Sequence, residues 1–226
     1  MTARYAIYAA PAPDTPLWRF GSSMIGYDTA TGEAVPFPQE LPPDWSALTE
    51  EPRRYGFHAT LKAPFHLAES RNEAELVEAA SVFAKQRVVF DVPRLAVKLI
   101  GGFVALVPAE PAPLLDILGA DCVRAFDPYR APITEADRAR RLAANLSERQ
   151  TLHLERWGYP HVFEDFRFHL TLTGRLPEAR REPVRAMLEQ AYAAIEPGFI
   201  ADAIAVFRQD SRETRFRIIA RLPFSP

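Results

Sequence analysis

Cysteine is nearly missing from this chain: Cys122 stands alone among 226 residues. A lone thiol excludes an intramolecular disulfide framework and argues against a cysteine-based metal cluster. No apolar run approaches the length of a transmembrane helix, so no membrane partner is expected. An excess of either charge is missing too. The formal net charge of −2 excludes a bulk basic field for non-specific nucleic-acid or membrane binding. The opening MTARYAIYAAPAPD has one arginine and a short apolar run, as a secretion signal does. Pro11 and Pro13 break that run early and it alternates like a strand, so it reads as mature structure in a cytoplasmic protein.

What remains is ordinary soluble-protein composition, 48% hydrophobic and 25% charged, in a chain long enough for one large domain or two modest lobes. An opening strand spans 3–10, Leu17 to Ile25 suits one or two helical turns, and the proline- and glycine-rich stretch 26–52 suits an ordered surface loop. A unit of strand, helix, strand, strand then occurs twice. In the first, YGFHATLKA is a strand, and Leu76, Ala79, Ala80 and Phe83 recur at helical spacing. Two strand-like runs joined by Gly101 and Gly102 follow. In the second, FHLTLTGRL is the strand, Pro177 starts a helix with Val184, Met187, Leu188 and Ala191 on one face, and two more strands close the chain. The two units lie about 110 positions apart, too long a period for a solenoid. They predict an α+β fold of two pseudo-symmetric lobes about a central cleft. The lobes are expected at 54–110 and 162–226, with a helical insertion over 111–161 suited to a lid or a partner surface.

Each unit opens on a histidine with a threonine two residues later: His58 and Thr60, then His169 and Thr171. Side chains of a strand alternate, so each His–Thr pair shares one face while Phe57, Ala59 and Leu61, or Phe168, Leu170 and Leu172, share the other. One such histidine would most simply be a core or edge residue. Two, each opening an equivalent unit, predict a shared site in the cleft. There one imidazole can accept a proton while the other donates one. Two hydroxyls can hold the non-bridging oxygens of a phosphate between them. The set suits in-line attack of water on a phosphodiester without a metal or other cofactor. The same parity places Arg54 and Lys62 on the His58 face, and Arg167 and Thr173 on the His169 face, where cations would offset phosphate charge.

FHATL and FHLTL resemble the paired motifs of the two-histidine (2H) phosphoesterase superfamily. More narrowly, YAIYAAP, RRYGFHATLKAPF and FRFHLTLTGRL resemble a branch associated with phosphonate-utilisation operons, whose pattern Arg54, Tyr55 and Lys62 fit. The resemblance implies a bilobal α+β 2H-phosphoesterase-like fold, His58 and His169 as the acid–base pair, Thr60 and Thr171 as phosphate binders, and no metal. It implies a cyclic phosphodiester of a small sugar phosphate as substrate, with 5-phosphoribosyl 1,2-cyclic phosphate the natural candidate for that branch. Opening of RNA 2′,3′-cyclic or 2′-5′ linked ends is an alternative, disfavoured by the near-neutral charge. A non-catalytic phosphate- or nucleotide-binding module is a third, disfavoured because binding alone needs cations rather than a proton-transfer pair.

Other features suit bland roles. His66, His153 and His161 could join His169 as metal ligands, yet Pro64 breaks the parity to His66 and no acidic residue is spaced as a ligand. Tyr5 and Tyr8 suit either the cleft or a half-buried strand. Trp157, Tyr159 and His161 suit a loop packed on the core more than a base-stacking platform. The arginine run 138–141, with Glu135 and Asp137, suits a surface helix; Arg208, Arg215 and Arg217 suit the solvated face of the closing hairpin.

Overall fold

The computed structural model describes residues 3–92, 94–195 and 198–226. The first strand, β1 (Arg4–Ala9), is followed by helix α1 (Pro16–Ile25) and two single turns, α2 (Trp45–Leu48) and α3 (Glu50–Arg53). The stretch 26–52 is thus tied down more firmly than a surface loop. Trp45 is 1% exposed and donates its indole N–H to the Met24 carbonyl. Arg53 donates from Nε to the Ile25 carbonyl.

The first repeat unit is β2 (Ala59–Phe65), α4 (Glu73–Lys85), β3 (Phe90–Val92), β4 (Leu95–Ile100) and β5 (Phe103–Pro108). Helix α4 starts where Asn72 and Glu75 form a reciprocal capping box, satisfying otherwise orphaned backbone donors. Its buried stripe is Leu76, Ala80, Phe83 and Ala84, with Ala79 at the edge. The insertion holds α5 (Pro113–Phe126), α6 (Glu135–Leu142) and α7 (Glu148–Trp157). The second unit is β6 (Leu170–Thr171), α8 (Glu178–Tyr192), β7 (Phe199–Ala201), β8 (Ala203–Gln209) and β9 (Arg217–Pro223). The order of elements is the same in both units, as the sequence predicts, although one expected strand of each is split in two, into β3 and β4 and into β7 and β8.

The lobes are not contiguous in sequence, however. One antiparallel sheet has the order β2-β1-β8-β9 and the other β4-β5-β6. Each motif strand is therefore completed by the hairpin of the other unit: β8–β9 joins β2 by way of β1, and β4–β5 joins β6. Helix α4 packs on β8 and β9, and α8 on β4 and β5. The exchange happens at β3 and β7, equivalent strands that pair antiparallel with each other, Asp91 opposite Ile200. The expected division at 54–110 and 162–226 gives way to interleaved lobes. Alternation in a strand fixes which face is buried, not which neighbour it pairs with.

One face of β1 (Tyr5, Ile7, Ala9) joins the main core, which runs from α1 and α4 through both lobes. The other face (Ala6, Tyr8) joins a smaller cluster with Trp18, Phe207 and Phe216. The insertion is latched to this frame by Asp137 on α6, which pairs with Arg212 in the β8–β9 turn at 2.8 Å. Arg138 pairs with Glu155 of α7 at 2.7 Å. Among the described residues no helix is long and apolar enough to cross a membrane.

Candidate active site

Both histidines sit just before a strand, His58 before β2 and His169 before β6, and are held in the same way. His58 Nδ1 donates to the Gly56 carbonyl at 2.9 Å, and His169 Nδ1 donates to the Arg167 carbonyl at 2.7 Å. A carbonyl only accepts, so Nδ1 carries the proton, and the neutral ring presents Nε2 as a base. His58 Nε2 in turn lies 3.3 Å from the Thr60 hydroxyl. The His58 ring stacks on Tyr8, with centroids 3.7 Å apart and planes 20° from parallel. His169 lies beside the Phe103 ring at 5.7 Å.

A cavity of about 510 Å³ is lined by His58, Thr60, Tyr8, Tyr55 and Thr171, a size that suits a small ligand. His169 and Arg167 line an adjoining cavity of about 480 Å³. Thr60, Phe103 and Tyr159 line both, so the two are compartments of one cleft meeting at those three residues. Burial pushes the His58 pKa down to about 4, partly opposed by the Gly56 carbonyl, and the charge of His169 lowers it further. The imidazoles are thus within electrostatic reach of each other. Burial also lowers His169, against the favourable Arg167 carbonyl. With both values lowered, both rings are neutral at neutral pH.

Two of the expected cations are elsewhere. Lys62 is 4% exposed, with Nζ donating to Asp127 at 3.0 Å and to the Val123 carbonyl at 3.1 Å. The reason is a bulge. Tyr8 opposes Thr60 while the next residue back, Ile7, opposes Lys62, so one extra residue is inserted at Leu61. Past it the parity inverts and Lys62 joins the Ile7 face, under α5. Arg54 lies outside β2, at the end of α3, where its exposed guanidinium is 3.6 Å from Glu50. Strand parity does not apply there. Thr173 is fully buried, its hydroxyl accepting from the Val104 N–H at 3.0 Å and donating to the Gly174 carbonyl at 2.9 Å. By replacing a ladder carbonyl it ends β6 after two residues.

Of the tyrosines, Tyr8 reaches the cleft, whereas Tyr5 hydrogen-bonds Glu73 at 2.9 Å. The insertion contributes what sequence reasoning missed. Arg140, Arg141 and Tyr159 line the His58 compartment, as do Arg4 and Arg175. His161 lines the His169 compartment with Arg149, Glu164 and Asp165. Tyr159 and His161 are therefore cleft residues rather than loop packing, while Trp157 packs on Phe163 outside the cleft. His66 hydrogen-bonds the Ala3 carbonyl, and His153 faces Glu164 and Asp165. Among the described residues no three His, Cys, Asp or Glu side chains converge as metal ligands.

Comparison with known proteins places the chain. Residues 60–217 match the family described as "Protein of unknown function (DUF1045)". The chain belongs to the DUF1045 family. The DUF1045 match contains Thr60, His169, Thr171 and the whole insertion. Two relatives are each called ribose 1,5-bisphosphate phosphokinase PhnN. The protein from Janthinobacterium sp. (strain Marseille) is 38% identical over 233 residues, covering 98% of this DUF1045 chain and 51% of the relative. The protein from Laribacter hongkongensis (strain HLHK9) is 33% identical over 221 residues, covering 95% and 50%. The chain spans about half the length of the curated relatives it matches. Among solved structures it is similar to E. coli LigT complexed with 3′-AMP, at 13% identity and a TM-score of 0.46 over 100% of both chains. A structure described as a phosphoesterase gives 14% and 0.43, also over 100% of both. These are distant likenesses.

Proposed function

We propose that this DUF1045 chain is a two-histidine phosphoesterase that opens a cyclic phosphodiester of a small sugar phosphate without a metal. The observation that carries the reading is the matched anchoring of His58 and His169, each with Nδ1 on the carbonyl two residues back and Nε2 left for proton transfer. Thr60 and Thr171, on the cavity wall, would donate to the non-bridging phosphoryl oxygens. His58 takes a proton from water as the water oxygen bonds to phosphorus, and His169 gives its proton to the sugar oxygen as the ester bond breaks. The roles follow from burial. Desolvation pushes His58 down to about 4 and lowers His169 less, so a single proton shared by the pair resides on His169.

The substrate we favour is 5-phosphoribosyl 1,2-cyclic phosphate. Hydrolysis of its bond from phosphorus to the 2-oxygen adds one water and yields ribose 1,5-bisphosphate. The relatives that carry a DUF1045-like half are named for phosphorylating that compound. A panel of this ester, ribosyl 1,2-cyclic phosphate and 2′,3′-cyclic AMP tests the reading. Turnover of the phosphoribosyl ester should be fastest, release ribose 1,5-bisphosphate and survive EDTA. Activity that disappears with EDTA and returns with zinc or manganese would replace the reading with a metal mechanism. A preference for 2′,3′-cyclic AMP would favour the RNA-end alternative.

The lowered pKa values also fix a pH profile. The free enzyme needs His58 neutral and His169 protonated, so kcat/KM should be bell-shaped. Its acid limb follows His58, near pH 4, and its alkaline limb follows His169, below the ordinary 6.5. A group with a lowered pKa loses its proton earlier as pH rises, so the optimum lies on the acid side of neutrality. In kcat the alkaline limb should move up, because bound phosphate stabilises the His169 cation. An alkaline limb in kcat/KM lying above 6.5 would remove His169 as the acid.

A further inference from the structure

The insertion brings a cluster of cations to the cleft that the two-histidine chemistry does not use. The His58 compartment is lined by Arg4, Arg140, Arg141 and Arg175, with Glu51 the one carboxylate among its described lining residues. Two of these guanidiniums already have partners. Arg140 is 2.8 Å from Asp137, and Arg4 binds Gln209 through Nε at 2.8 Å. Arg141 differs. Its guanidinium lies over the Tyr159 ring at 4.9 Å, and its Nε is buried with no hydrogen-bond partner among the described residues. A buried, unsatisfied charged donor costs several times what an exposed one does. Burial accordingly lowers its pKa. Such a group is stabilised by an anion with several acceptor oxygens, and guanidinium geometry suits a phosphate.

We propose that α6 builds a second phosphate subsite, in which Arg141, backed by the Tyr159 ring, binds the non-reacting phosphate monoester of the substrate. This rests on the cyclic-phosphodiesterase reading of the histidine site and adds a reason for substrate choice. One cavity holds Thr60 and Thr171 for the reacting phosphate and Arg141 for the distal one. Helix α6 is fixed there from outside, because Asp137 pairs with both Arg140 and Arg212. The chemistry selected is a small sugar carrying one cyclic and one terminal phosphate.

Two esters that differ only in the terminal phosphate test this: 5-phosphoribosyl and ribosyl 1,2-cyclic phosphate. The wild-type chain should prefer the first in kcat/KM. In Arg141→Met the preference should fall by about 10- to 100-fold, the range of a lost hydrogen bond to a charged group. In Arg141→Lys, which keeps the charge but not the fork, the fall should be smaller. Circular dichroism confirms that each variant is folded, and the lysine variant serves if the methionine variant is not. Equal preference in the wild type, or an equal fall on both esters, would overturn the subsite. Should the wild type turn over neither ester, the cyclic-phosphodiesterase reading has failed, and calorimetric titration with ribose 5-phosphate decides the subsite alone. Binding to the wild type that weakens at least ~10-fold in Arg141→Met supports it; unchanged or absent binding overturns it.

Discussion

Alanine at His58 or His169 should lower kcat by at least ~10²-fold, the usual scale for a lost general acid or base. Both variants should stay folded. The altered rings face the cleft, while the flanking Phe57, Leu61, Phe168 and Leu172 are all buried and keep their packing. The double variant should be little worse than the poorer single one, because acid and base serve one displacement. Thr60→Val and Thr171→Val should cost less, since each removes one hydrogen bond to a charged group, about 1.5–3 kcal/mol. Steady-state kinetics on the phosphoribosyl ester, with circular dichroism for folding, measures all five. A folded single histidine variant retaining more than about a tenth of wild-type turnover would take that residue out of the chemistry.

Gly56→Ala should damage stability and catalysis together. Gly56 has φ +75, and a Cβ there would lie 1.9 Å from Thr29 Cγ2. Thr29 cannot readily give way: it is 1% exposed, and its carbonyl accepts from the Ile218 N–H at 2.8 Å. Left-handed backbone costs a residue with a Cβ about 1–2 kcal/mol. Overpacking adds about 1–3 kcal/mol. At roughly 2–4 °C per kcal/mol for a chain of this size, Tm should fall by about 5–15 °C. The Gly56 carbonyl also holds His58 Nδ1, so any shift of that peptide loosens the His58 ring. At temperatures where the variant is folded, kcat should still fall about 10-fold or more. Gly32→Ala is the control. Gly32 has φ +81 but nothing within 4 Å of its Cβ position, so it should show the backbone cost alone with kcat unchanged. Equal losses of Tm and kcat in the two variants would deny Gly56 any role at the site.

The pairing of His58 with Thr60, 3.3 Å apart, is legible because strand-like alternation is written in sequence, and repetition of the unit points to His169 and Thr171. The helix stripes of α4 and α8 were legible for the same reason, with Leu76, Ala80, Val184 and Leu188 all buried. Lys62 was misread because a bulge at Leu61 is invisible to a period of two. Arg54 was misread because the strand starts later than its apolar pattern suggests, at Ala59. Arg141, in the run read as a surface helix, was misplaced for a different reason. Its helix has no buried residue and reads as a solvated face, yet the cleft is itself a polar surface. A helix lining a polar cleft and a helix facing water carry the same pattern. Only the position of α6 against β8–β9, set by Asp137 and Arg212, tells them apart.

The hairpin exchange has a consequence for how this chain becomes active. Sheet β2-β1-β8-β9 closes only when residues near the N-terminus meet residues near the C-terminus, as Tyr5 meets Arg208. Sheet β4-β5-β6 spans the insertion in the same way, with Ala105 opposite Thr171. Neither sheet can be completed by one repeat unit, so the free-energy gain of each is withheld until distant segments have found each other. A half-made molecule therefore has no half-made cleft. A nascent chain emerging from the ribosome, or a fragment cut within the insertion, has one histidine motif without the sheet that frames it. His58 and His169 are therefore framed together, when both sheets close.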